Sequence, residues 1–101
     1  MLVHLPIVIL ASLHPVAAVD SVPKFDIARE CQFEDATKAG HDHCEMDEKQ
    51  ARDHLQSEWA QFTPSDKARC IHETTMGGTS SYVELLTCLE MARDARKAST
   101  R

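Results

Sequence analysis

The chain has no C-x-x-C and no C-x-x-C-H, so the spacing that thioredoxin-like exchange or haem attachment requires is missing although four cysteines are present. Nor does it hold an apolar run of the ~20 residues that a bilayer crossing takes; the stretch Leu5 to Leu13 is far shorter. Positive charge is scarce. Lys and Arg number 11 against 16 Asp and Glu, for a formal net charge of -5, which argues against nucleic acid and against an anionic membrane surface as partners. Runs of β-branched residues are few, so no segment reads as a strand, and no internal repeat is visible. Gly77-Gly78-Thr79-Ser80-Ser81 lacks the lysine of a phosphate-binding loop and the strand that precedes one, and it reads as a turn followed by a helix cap.

What is present begins with an address. Residues 1–18 read as a secretory signal: the apolar run, then Pro15, then Val16-Ala17-Ala18 as a small-residue cleavage site, although His4 stands where Lys or Arg is usual. Cleavage near Ala18 predicts a periplasmic or secreted protein with no membrane span in its mature form. Residues 19–97 are then expected to form a single helical domain, with 98–101 as a flexible tail. A domain this small buries little apolar surface relative to the entropy it loses on folding, and an even cysteine count in an exported chain predicts disulfides that make up the difference.

The predicted elements follow from caps and periodicity. Pro23 marks the entry to a first helix expected over Phe25 to Ala39 and ending at Gly40. Asp42-His43-Cys44-Glu45 resembles a capping box opening a second helix, whose Cys44, Ala51, Leu55, Trp59 and Phe62 recur on one face at spacings of seven, four, four and three. Thr63-Pro64-Ser65-Asp66 restarts the chain as N-cap, first-turn proline and first-turn acid. The third helix is expected to run to about Thr75, presenting Ala68, Ile71 and Thr75, and to stop at the double glycine. Ser81-Tyr82-Val83-Glu84 is a second capping box. The helix it opens carries Tyr82, Leu85, Leu86, Leu89 and Ala92 on one broad face. The fold class expected is all-α, a small disulfide-pinned bundle of three to four short helices.

Four cysteines allow three pairings. With a rise of ~1.5 Å per residue, Cys70 and Cys88 lie at similar heights if the last two helices form an antiparallel hairpin, and Cys31 and Cys44 flank the other turn. The arithmetic favours Cys31–Cys44 and Cys70–Cys88 over the rival Cys31–Cys88 with Cys44–Cys70. Each favoured bond closes a loop near the ~15-residue case worth about 3 kcal/mol in chain-entropy terms.

Candidate chemistry is thin. His41-Asp42-His43-Cys44-Glu45 offers imidazole, carboxylate and thiol of the kind that suit Zn²⁺ or Cu²⁺, but an oxidised Cys44 leaves His41 and His43 as weak metal candidates in need of ligands from elsewhere. Cys70-Ile71-His72 resembles a nucleophile beside a base, yet side chains at i and i+2 of a helix do not face each other. Trp59, Phe62 and Tyr82 read as core. The carboxylate pairs Glu34/Asp35 and Asp47/Glu48 read as solvated helix faces. No catalytic residue and no cofactor is implied, and the chain is expected not to be an enzyme.

The stretch from acidic residues before Ala51-Arg52, through Leu55, Trp59, Phe62 and Arg69-Cys70, to Gly77-Gly78 and the block Ser81-Tyr82-Val83-Glu84-Leu85-Leu86-Thr87-Cys88-Leu89-Glu90-Met91 resembles a group of small exported bacterial helical proteins. The resemblance spans about residues 44–93 and implies an exported helical protein, carrying over no catalytic residue. The expected function is a non-enzymatic module that binds or protects another macromolecule in the cell envelope, through a protein partner the residues do not specify. Its general design is similar to that of small periplasmic acid-stress chaperones: His41, His43, His54 and His72 gain charge as pH falls through ~6.5. The alternative is metal binding through His41-Asp42-His43-Cys44.

Overall fold

The computed structural model describes residues 21–32, 37–78 and 80–99. The signal-peptide reading of residues 1–18, the Glu34/Asp35 pair and the end of the tail fall outside them. The described residues are helical with no strand: α1 (Ile27–Gln32), α2 (Lys38–Glu58), a 3₁₀ turn (Trp59–Gln61), α3 (Pro64–Thr75) and α4 (Tyr82–Ser99). The protein is thus an all-α bundle.

The entry to α2 corrects the expected helix boundary. Thr37 is the N-cap, in extended conformation, and its Oγ1 accepts the Gly40 N–H at 2.9 Å. Gly40 therefore lies in the first turn of α2 and does not end the preceding helix. Asp42, expected as the cap, is one turn into α2, where it pairs with Lys38 at 3.1 Å. A glycine near a helix start costs only about 1 kcal/mol against alanine, and a threonine cap three residues earlier offsets that. The first helix is correspondingly short, and Ala28 and Ala39 are exposed.

The Thr63-Pro64 restart forms as expected. Phe62 bonds back to the Trp59 carbonyl, Thr63 Oγ1 caps Asp66 N at 3.2 Å, and Pro64 takes the first helical position. The face α3 turns inward differs from the expected one. Lys67, Cys70 and Thr74 are buried and Ile71 half-buried, while Ala68 and Thr75 are exposed. Cys70, bonded to α4 and fully buried, sets the rotation; Lys67 is one turn before it and Thr74 one turn after. Lys67 is accommodated by resting its ammonium 5.0 Å from the centre of the Trp59 ring, a cation–π contact that leaves the aliphatic stem on the apolar surface.

The last helix is the centre of the bundle, packing on α2 along one side and on α3 along another, while α1 lies against α2. Its pairings set the directions. Glu48 meets residues 82 and 83 and Glu58 meets Arg93, so α2 and α4 run parallel; Cys70 meets Cys88 and Asp66 meets Arg96, so α3 and α4 are antiparallel. The core comprises Ala51 and Leu55 from α2, Trp59 and Phe62 at the corner, Cys70, and Tyr82, Leu85 and Leu89 from α4. Leu55, Leu85 and Leu89 are completely buried; at about 25 cal/mol per Å² of apolar surface, each contributes roughly 2 kcal/mol.

Both favoured disulfides are present. Cys31–Cys44 has a Cα–Cα distance of 5.6 Å and Cys70–Cys88 one of 5.7 Å. The first straps α1 to α2, and the second joins the α3–α4 hairpin at its middle.

Candidate functional site

The densest polar constellation lies where α4 begins. Ser81 is the cap the sequence predicts, its Oγ accepting the Glu84 N–H at 3.2 Å. A helix start leaves further N–H groups without intrahelical partners, and here they are met from across the bundle. Glu48 of α2 is buried, 4% exposed, and places its carboxylate against that end. Its Oε1 accepts from Tyr82 N at 2.7 Å, and its Oε2 accepts from Ser81 Oγ at 2.6 Å and Val83 N at 3.3 Å. A buried carboxylate is tolerable only when its oxygens are satisfied, and three donors together with the positive end of the helix dipole do so.

This arrangement corrects the reading of Asp47/Glu48 as a solvated pair. Asp47 is exposed and pairs with His43 at 3.4 Å, while Glu48 faces inward. The sequence held a signal for it. The apolar stripe of α2 jumps seven residues from Cys44 to Ala51, and the missing inward position is Glu48, four after one and three before the other. A charge in the gap of an otherwise regular stripe marks a buried polar group.

Two further side chains, Tyr82 and Glu30, tie the residues before α1 and α1 itself to the same end of α4. Tyr82 OH donates to the Pro23 carbonyl at 2.9 Å and accepts the Phe25 N–H at 2.8 Å, with the Phe25 and Tyr82 rings 4.7 Å apart. Glu30 Oε1 accepts from Ser80 N at 3.0 Å. The turn into this region uses Gly78 at φ 82°, a left-handed conformation that suits glycine.

At the far end of the bundle a second polar layer holds α4 to α2 and α3. Arg93 donates to Glu58 Oε1 at 2.6 Å and lies over the Phe62 ring at 5.1 Å, and His54 bonds the other Glu58 oxygen. The Arg93 guanidinium, then His54, hold the Glu58 carboxyl below its ordinary range, and Glu58 in turn raises Arg93 above its own. Asp66, nearly buried, accepts from Arg96 at 2.8 Å and from Arg69 at 3.4 Å. Hydrogen bonds from Arg96, and lesser ones from Thr63 and Arg69, lower its carboxyl likewise.

The other candidates are dispersed. Cys44 is spent in a disulfide, His41 is half-buried, and His43 is exposed. Among the described residues no group of three or more His, Cys, Asp or Glu side chains is arranged to hold a metal ion. Cys70 is buried in its disulfide while His72 is exposed on the opposite side. Glu73 Oε2 lies 3.6 Å from Cys88 Sγ, a van der Waals contact, since a disulfide sulfur has no proton to donate. Trp59, Phe62 and Tyr82 are core residues, as read from their spacing. The glycine-serine stretch considered for anion binding does face a carboxylate, but one the chain supplies itself. No family model, no curated protein and no solved structure matches this chain.

Proposed function

We propose that the chain works outside the cytoplasm, in the periplasm or beyond the cell, as a non-enzymatic module that binds or protects another macromolecule. Two closed disulfides suit an oxidising compartment, and no helix of the described residues is long and apolar enough to cross a membrane. The acids that face inward, Glu48 and Asp66, are engaged in joining helices, and the Tyr82 phenol in holding the segment before α1.

The observation that carries the binding role is what stands outside. Met46, Met76 and Met91 are 54%, 70% and 66% exposed, and with Val83 they make up the exposed large apolar side chains of the described residues. Methionine is unbranched and polarizable, and fits apolar surfaces of many shapes. An acid-stress form of this role is supported by the Glu58 and Asp66 clamps, whose carboxyls Arg93 and Arg96 hold below the ordinary range, so that both ion pairs persist into acid.

Light scattering of an aggregating client tests the reading. The disulfide-bonded protein is expected to suppress aggregation at equimolar ratio at about pH 4, and Met46→Gln with Met76→Gln to remove about half of that effect. A protein inert towards clients from neutral to acid pH overturns the role.

A further inference from the structure

The last helix is apolar on two sides. Its inward face is Tyr82, Leu85 and Leu89, and on the outside Val83, Thr87 and Met91 follow one another at intervals of four, a helical row. Val83 is 40% and Met91 66% exposed. Thr87 joins them as an apolar residue: its hydroxyl donates to the Val83 carbonyl at 2.8 Å, leaving the methyl group as the unengaged part of the side chain. The row forms one wall of an open groove of about 410 Å³ whose other side is Arg69 and Glu73 of α3, with Glu84 at one end.

We propose that this groove receives a second copy of the same chain, packed as an antiparallel pair of α4 helices on a two-fold axis at Thr87. The charges on the rim argue for that occupant. Because α3 is antiparallel to α4 and Cys70 is level with Cys88, Arg69 is level with Leu89 and Glu73 with Leu85. Thr87 stands midway. The rim is therefore acidic on one side of Thr87, with Glu73 and Glu84, and basic on the other, with Arg69.

A two-fold rotation at Thr87 sets Arg69 of each copy against the acidic end of the other, and the same rotation places Val83 against Met91. An isologous interface requires this kind of self-complementarity. Among the described residues the ion pairs of Arg69 are stretched, 3.4 Å to Asp66 and 3.6 Å to Glu73, with half of its side chain exposed; it is available to a better-placed carboxylate. The small Thr87 at the axis lets the helices approach. Met91 and Val83 are shared with the protective surface, but Met46 and Met76, whose substitution tests that role, do not line this groove, so the two readings fail separately.

Sedimentation equilibrium of the disulfide-bonded protein from about 1 µM to about 1 mM tests the proposal. Dimerisation is expected, weakened by added salt as charge pairs are screened. Thr87→Glu, which brings two like charges together on the axis, and Met91→Glu are each expected to raise the dissociation constant about tenfold or more, with helicity by circular dichroism unchanged because both positions are exposed.

Charge reversal is the sharper experiment. Arg69→Glu alone and Glu84→Arg alone each weaken self-association, whereas an equimolar mixture of the two variants regains part of it, since positions 69 and 84 then carry opposite charges in both rim contacts. A monomer throughout the concentration range overturns the proposal. So does a dimer indifferent to Thr87→Glu, or a variant mixture that associates no better than its components.

Discussion

The two disulfides close loops of comparable size, with sequence separations of 13 and 18, yet the regions they hold differ in kind. The hairpin of α3 and α4 is a packed unit: Cys70, Leu85 and Leu89 are completely buried between its helices and α2, and Asp66–Arg96 adds an ion pair beside the cross-link. The segment 21–32 rests on the bundle through half-buried Val22, Phe25 and Ile27, the Tyr82 hydroxyl, Glu30 and the one bond from Cys31. Chain entropy assigns both disulfides about 3 kcal/mol, so what separates them is how much other structure each supports. A cross-link inside a core reinforces contacts that exist without it, whereas one at the margin supplies much of the attachment.

The largest expected effect comes from the residue both regions depend on. Glu48→Ala leaves Ser81 Oγ, Tyr82 N and Val83 N without their acceptor and is expected to lower stability by about 3 to 4 kcal/mol, since each unsatisfied buried donor costs ~1 kcal/mol or more; chemical denaturation measures it. Next comes paired removal of each disulfide. Cys70→Ser with Cys88→Ser should lower global stability by about 3 kcal/mol, read as a loss common to Trp59 fluorescence and circular dichroism. Cys31→Ser with Cys44→Ser should show its loss mainly as faster amide exchange in residues 22–32, with Trp59 fluorescence unchanged. Equal behaviour of the two pairs would erase the distinction between margin and core.

A smaller change sharpens it. Tyr82→Phe removes only the hydroxyl that grips the Pro23 carbonyl and the Phe25 N–H, and about 1 kcal/mol of stability should go with it, accompanied by the same exchange signature in residues 22–32. The smallest effect concerns pH. Glu58 and Asp66 have carboxyls lowered in the folded state, mainly by Arg93 and Arg96 respectively. Their contribution is therefore fully present above the unfolded carboxylate range, ~4, and is lost as pH falls through the lower folded values. Arg96→Met should flatten that acid limb in a titration of melting temperature, with the slope above about pH 6 unaltered.

The same contrast governs what could be read in advance. The α3–α4 hairpin was legible because its signals are local: Thr63-Pro64 before one helix, Gly77-Gly78 after it, Ser81 before the next, and leucines at helical spacing. The Cys70–Cys88 pairing followed from those boundaries by counting residues, and Cys31–Cys44 from the turn the two cysteines flank. The short α1 was misjudged since Gly40 looked like a stop, and the cap that overrides it, Thr37, is not followed by a glutamate three residues on. Burial of Glu48 escaped because its partners lie 33 to 35 residues later; only the gap in the α2 stripe pointed there. The rotation of α3 escaped too, for Lys67 is buried by a tryptophan eight residues earlier that no helical wheel of α3 contains.

The carboxylate at the head of α4 also sets an order of assembly. A ribosome makes Glu48 well before it makes Ser81, Tyr82 and Val83, so this acid must stay hydrated while α2 emerges, and α2 cannot seal its inner face until the helix that begins at Tyr82 has arrived. The seal on the inner face of α2 is therefore a late event in folding, set by when the head of α4 becomes available.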